Sequence, residues 1–274
     1  MRNLPPLERL RQRSRLYLGR AARSAARAAP RRKCIYMHVP KCGGTSVSEG
    51  LYATIPLEQR IAVLPSPEIR RSQSFLHRGT QDIATFHDEG DAAGILADFR
   101  EQLVLLHIAE GRALIHGHFL FTERIRALSR EEGYGYVSIL RDPVARTVSN
   151  YRMASRNGVF EGDLDAFLDS AMGRRMALHV LRFFSGRATI APGEEEAALE
   201  VAHANMALFD LIGFLDDLDG FARDYGEIFG NRPRIAHYNR ATDRGIDVTP
   251  AQRARLEALC APDIELTELA RARR

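Results

Sequence analysis

Residues 34–46 read CIYMHVPKCGGTS, and their order decides the fold. Cys34 to Val39 is an unbroken apolar and aromatic run, the mark of a buried strand. Pro40 ends it. Lys41, Gly43, Gly44, Thr45 and Ser46 follow, and TSVSEGLYAT from Thr45 suits a helix that opens on hydroxyl residues. A glycine pair lets the backbone approach an anion, and successive N–H groups form a nest for it. The helix N-terminus adds dipole and donors, and Lys41 can reach the same oxygens. The plainer alternative is a tight turn whose glycines only solve geometry. The common P-loop order, G-x-x-x-x-G-K-[ST], is absent, which counts against an ordinary ATPase or kinase.

Working outward, other apolar runs alternate with helical patterns. RALIHGHF (112–119), YGYVSILR (134–141) and LFDLIGFL (208–215) read as strands. Residues 95–111, the segment from Pro143, MALHVLRFFSG (176–186) and the chain from Pro250 read as helical. Residues 56–90, with Pro56, Pro65 and Pro67, read as irregular. The expected fold class is α/β, with a mainly parallel central sheet flanked by helices in a P-loop-like nucleotide-binding architecture. Such sheets bind ligands at the carboxyl ends of their strands.

Charge is placed unevenly. Residues 1–33 carry a net +10, with Glu8 their single acid, and the rest of the chain carries −6. Residues 1–32 are therefore expected to be a basic, flexible Arg/Ala-rich arm, and 33–274 a single domain. The arm is read first as a solubilising tail and second as a peripheral contact with an anionic membrane. No apolar run approaches the roughly 18 residues of a membrane helix. The expected location is the cytoplasm, with the arm able to reach the inner membrane surface. The net-acidic body lacks aromatic–basic interleaving, so no nucleic acid is expected. Cys34, Cys42 and Cys260 have no metal-ligand spacing and imply no disulfide framework. Only Lys33 and Lys41 among 39 basic residues are lysine, so a lysine inside the glycine loop suggests that a compact ammonium is wanted there.

RDPVARTVSNYR (141–152) places Arg141 at a strand end and Ser149 about two helical turns beyond. A guanidinium fork and a hydroxyl make a phosphate-monoester clamp. An Asp142 cap with solvated arginines is the plainer reading. In HGH, His116 and His118 are two apart on a strand end and point to one face. A histidine base, a structural pair and a metal pair all fit that spacing, although no third metal ligand has obvious spacing. His38, His77, His87, His107, His179, His203 and His237 read as structural or surface residues.

Taken together, PKCGGTS and ILRDPVARTVSNYR resemble the two nucleotide-binding signatures of sulfotransferases that use 3′-phosphoadenosine 5′-phosphosulfate (PAPS). The likeness is to the carbohydrate-modifying, heparan-sulfate 2-O-sulfotransferase-like branch. The signatures lie about a hundred residues apart, and FDLIGFLDDLDGFARDYGEIFG is similar to a late strand and helix of that family. The resemblance spans roughly residues 33–270. It implies that Lys41, Gly43, Gly44, Thr45 and Ser46 grip the 5′-phosphosulfate, and that Arg141 and Ser149 grip the 3′-phosphate. It implies His118 as general base with His116 assisting or orienting it, Lys41 as a catalytic cation, adenosine 3′,5′-bisphosphate (PAP) as product, and no required metal. Cys42 departs from the threonine frequent in that family. A reactive thiol is conceivable at a helix N-terminus, and a small filler is the plainer role. The expected acceptor is a hydroxyl on a carbohydrate or glycolipid, shaped by residues 56–90 and the middle helices, in a bacterial protein. The competing class is a nucleotide-dependent phosphotransferase with an atypical P-loop, for which Asp142 is the nearest candidate metal-binding acid.

Overall fold

In the computed structural model, which describes residues 6–83, 90–235 and 247–273, the apolar run after Arg32 forms the central strand of the sheet. The chain begins with α1 (Pro6–Ala25), β1 (Lys33–Met37) and α2 (Gly44–Tyr52). The short β2 (Ile61–Val63) leads into α3 (Ser66–Arg78) and α4 (Asp91–Ala109). β3 (Leu114–Gly117), α5 (Glu123–Glu131) and β4 (Tyr134–Leu140) follow. Between β4 and β5 (Leu211–Phe214) lie α6 (Pro143–Arg156), α7 (Leu164–Asp169), α8 (Ala171–Ala177), α9 (His179–Ser185) and α10 (Glu195–Met206). α11 (Leu218–Phe229), α12 (Pro250–Leu259) and α13 (Ala261–Ala272) complete the chain.

The sheet has the order β2-β3-β1-β4-β5, and every pairing is parallel. Parallel neighbours need crossover connections, and helices supply them here. All seven residues of β4 are buried, as in a central strand covered on both faces. The fold is thus α/β with a parallel sheet flanked by helices, laid out like a P-loop protein. β1 connects onward to β2 on one side of it, whereas its neighbour β4 connects onward to β5 on the other side, so the connections diverge between these two adjacent strands. The carboxyl end of β1 is therefore a topological switch point, where open α/β sheets form a crevice.

The main core surrounds the sheet, with Ile35, Met37, Leu114, Ile115, Val137 and Phe214 among its buried side chains. A satellite cluster joins Val144 of α6, Leu164 and Phe167 of α7, and Leu256 of α12. Fully buried Arg146 ties the helical side together. It donates to the Asp263 carboxylate at 2.7 Å and to the carbonyls of Met176 and Ala177 at 2.9 and 2.8 Å. Asp263 also accepts from the N–H groups of Val180 and Leu181 at 2.7 and 2.8 Å.

Two expectations change. The 56–90 stretch is not irregular throughout, because it contains β2 and α3. Pro67 lies in the first turn of α3, where its missing N–H costs nothing, and left-handed Gly79 closes the helix. The basic arm carries α1, and the C-terminal part of that helix is held to the body. Arg20 donates to the carbonyls of Ile55, Pro56 and Gln59 at 3.0, 2.9 and 2.8 Å. Among the described residues no helix is long and apolar enough to cross a membrane.

Candidate functional site

The loop after β1 is bent by left-handed residues. Lys41 has φ 67° and Gly43 has φ 76°. That conformation costs a non-glycine residue about 1–2 kcal/mol, so the surrounding packing must impose it on Lys41. The glycines answer separate demands. A Cβ on Gly43 would lie 2.4 Å from Leu215 Cδ1, and one on Gly44 would lie 1.7 Å from the His38 ring. Gly43 is also the N-cap of α2 and brings no side-chain cap to the opening N–H groups of that helix. Ser46 is buried at the start of α2. The side chain of Thr45 lies outside the described residues.

Cations gather beside this helix end. Lys41 Nζ lies 3.7 Å from Met153 Sδ, and its pKa is lowered by burial and then by the nearby positive charges of Arg156 and Arg141. Among the described residues none of the three cations has an acidic partner. Arg141 and Ser149 are both half-buried, the first directly after β4 and the second on α6. Ser149, Met153 and Arg156 follow the i, i+4, i+7 spacing of one helix face. The structure thus brings Lys41 and Arg141 together and adds Arg156, which the sequence reading missed although that spacing points to it. Asp142 is engaged as the cap of α6, accepting from Ala145 N–H at 2.7 Å. Burial pushes the Cys42 thiol up to about 12, which suits a small filler and not a reactive thiolate.

A cluster of histidines sits beside the loop. Tyr36 is paired in register with His116, and continuing that register sets His38 opposite His118. Period-two alternation puts all four rings on one face of the sheet. The His38 and His118 centroids are 4.5 Å apart, those of Tyr36 and His116 are 5.0 Å apart, and those of His38 and His116 are 5.5 Å apart. His38, read from sequence as structural or surface, therefore sits at the centre of the cluster. Its signal was the cross-strand register, which a single sequence does not display.

His118 Nδ1 donates to the His38 carbonyl at 2.6 Å. A carbonyl only accepts, so Nδ1 must carry the proton, and in the neutral ring the Nε2 lone pair is the basic position. His116 Nδ1 meets the Tyr52 hydroxyl at 2.6 Å. Burial, and secondarily His118, pushes His116 down to about 3. Burial also holds His38 well below the usual histidine range. His116 and His38 therefore stay neutral at physiological pH. His87 and His237 lie outside the described residues. Among the described residues no group of three His, Cys, Asp or Glu side chains is placed to hold a metal.

A cavity of about 300 Å³ opens beside His118. Pro40 of the loop and Met153, the neighbour of Lys41, also line it. Lys41, Gly43, Gly44, Arg141 and Ser149 do not, and neither does His116. The cavity and the cationic loop thus flank a common boundary at Pro40 and Met153, with His118 on the cavity side. Ser66 and Arg70 of α3 contribute walls, as do residues of α8 and α9. His179, read as structural or surface, lines the cavity too, and its Nδ1 lies 3.3 Å from the amide nitrogen of Asn150.

Comparison of the sequence with protein-family models and with curated proteins gives no match. Fold and site define an α/β protein in which a helix N-terminus, a group of cations and a tautomer-fixed histidine meet at the sheet's switch point.

Proposed function

We propose that the protein is a sulfotransferase that moves the sulfuryl group of PAPS to an acceptor hydroxyl on a carbohydrate or glycolipid. The observation that carries this reading is the division at Pro40 and Met153. On one side lie three cations without acidic partners among the described residues and a helix N-terminus, on the other His118 and a cavity of acceptor size. An uncapped helix start with Lys41, Arg141 and Arg156 suits a ligand with two separated phosphate groups. Lys41, Gly43, Gly44, Thr45 and Ser46 would hold the 5′ end, and Arg141 and Ser149 the 3′-phosphate.

The donor supplies an activated sulfuryl group whose leaving atom is the bridging oxygen of the 5′-phosphate. His118 Nε2 takes the proton of the acceptor hydroxyl as that oxygen bonds to sulfur. Lys41 and the α2 N–H groups stabilise the negative charge left on the phosphate, a preorganised contribution of the kind that dominates many active sites. His116 acts as a positioning residue, since burial leaves it too weak a base for neutral pH and it does not line the cavity. The phosphotransferase alternative is less well supported, because its candidate acid, Asp142, already caps α6.

Titration calorimetry with adenosine 3′,5′-bisphosphate and with ATP–Mg²⁺ tests the reading. The bisphosphate is expected to bind more tightly than ATP–Mg²⁺. Arg141→Ala is expected to weaken it by about 10- to 150-fold, the value of a charge-assisted hydrogen bond of about 1.5–3 kcal/mol. Preference for ATP–Mg²⁺, or no response to Arg141→Ala, would overturn it.

A further inference from the structure

Helix α1 has two faces of different character. One is docked. Leu16 packs against the main core, Gly19 lies against Ala53, and Arg20 holds the carbonyls of Ile55, Pro56 and Gln59. Arg23 donates to Asn231 Oδ1 at 3.2 Å. The other face is open. Leu18 is 69% exposed and Tyr17 is 57% exposed. At about 100° per residue, Leu18 stands about 160° around the helix from both Leu16 and Arg20. Docking of the first face thereby fixes the direction of the second, away from the body. On the same reckoning exposed Arg15 lies about 60° to one side of Leu18, and exposed Arg13 about 40° beyond Tyr17. The apolar pair is framed by a guanidinium at each edge. In the sequence, Leu7, Leu10, Tyr17 and Leu18 share the spacing of one helix face.

Charge decides what can cover this face. No Asp or Glu occurs between Glu8 and Glu49, whereas α1 carries Arg9, Arg11, Arg13, Arg15, Arg20 and Arg23. A second copy of the helix laid on the first would set arginine flank against arginine flank, with only Glu8 to answer them. A nucleic acid would match the charge and leave Leu18 without apolar cover. A bilayer surface with anionic headgroups answers both features. Tyr17 and Leu18 enter the boundary between headgroups and acyl chains, while Arg13 and Arg15 reach out to the phosphates. No described helix is long and apolar enough to cross a membrane, so α1 would lie in the surface and not span it.

We infer that the open face of α1 docks the protein on an anionic lipid surface, with Tyr17 and Leu18 as the inserted pair and Arg13 and Arg15 as the headgroup contacts. The inference goes beyond the proposed function and stands independently of it, since it involves neither nucleotide nor acceptor.

Sedimentation of the full-length protein with vesicles tests it, using phosphatidylcholine alone and phosphatidylcholine with about 30% phosphatidylglycerol. Binding to the anionic vesicles is expected to be at least about tenfold tighter, and to weaken at least about fivefold between about 50 and 500 mM salt. Arg13→Gln/Arg15→Gln should weaken it about tenfold or more, since each charge near the surface is worth a factor of about five. Tyr17→Ser/Leu18→Ser should weaken it about tenfold or more at unchanged charge. All four positions are exposed, so circular dichroism should show both variants folded. The chain has no tryptophan, so Leu18→Trp places a single reporter on this face, and its emission should shift to the blue on anionic vesicles alone. No vesicle binding, equal binding to the two lipids, binding that survives loss of Tyr17 and Leu18, or an unshifted emission would overturn the inference. A concentration-dependent dimer that Leu18→Ser abolishes, in place of vesicle binding, would overturn it in favour of a second copy. Binding to poly(U) RNA that Tyr17→Ser/Leu18→Ser leaves intact, again in place of vesicle binding, would overturn it in favour of a nucleic acid.

Discussion

Arg146 lies inside the segment that resembles a phosphate-binding signature, yet the structure gives it a different task. Its side chain and that of Asp263 are fully buried, and it supplies one charged and two carbonyl hydrogen bonds. Arg146→Met removes all three and leaves the Asp263 carboxyl with only the Val180 and Leu181 N–H groups. Breaking one partner of a buried ion pair costs about 3–5 kcal/mol. At about 2–4 °C per kcal/mol for a chain of this size, the melting temperature should fall by about 6–20 °C. Thermal unfolding followed by circular dichroism measures it. Arg146→Met/Asp263→Leu should recover most of the loss, because two apolar groups leave no buried charge. At a temperature where the variant is folded, bisphosphate affinity should stay within about threefold of wild type, the reverse of Arg141→Ala.

Acidification adds a second check on the same pair. Burial raises Asp263 to about 6, above its unfolded value, with Arg146 the main influence opposing the rise. The stability contributed by its retained proton is present below about pH 4 and is lost as pH rises through about 6. Without Arg146 the value rises further, so the variant's deficit should be smaller at pH 5 than at pH 8. A fall under about 3 °C, or a deficit independent of pH, would refute the reasoning.

Three shorter predictions follow from the site. Lys41 is held below the ordinary lysine value by burial, then by Arg156 and Arg141, so its charge costs stability that returns only as pH climbs toward 10.5. Lys41→Met should raise the melting temperature at pH 7, with a gain that shrinks toward pH 10, while bisphosphate affinity falls at least about tenfold. Gly44→Ala places a methyl inside the His38 ring position and should cost about 1–3 kcal/mol in urea unfolding and lower turnover through a displaced His118; unchanged values would refute the packing argument. Arg156→Ala, at an exposed site, should leave the melting temperature within about 1 °C but weaken the bisphosphate about threefold to tenfold and flatten its salt dependence.

The strands around the site were legible because their apolar runs end at glycine or proline, and Lys41 to Ser46 showed their loop chemistry directly. What escaped depended on pairing or on position within an element. β2 is three residues long at the sheet edge, too short for a periodic signal. α3 was hidden by Pro65 and Pro67, which read as breakers although Pro67 occupies a first-turn site that tolerates it. His38 became central only through its alignment with His118, eighty residues away. The cavity wall draws residues from α3, α4, α6, α8 and α9, and no local pattern in the chain shows that they converge.

The clasp between Arg20 and the segment after α2 bears on how the protein is cut and tagged. The sequence invites trimming at residue 32, where charge composition changes sign. Such a truncation would strip the guanidinium that ties together the carbonyls of Ile55, Pro56 and Gln59. It would also release Ser24 from Glu58 and uncover Ala53, against which Gly19 packs. A cleavage placed before Pro6 spares all of these, so a protease-removable tag belongs ahead of that residue and not at the apparent domain edge.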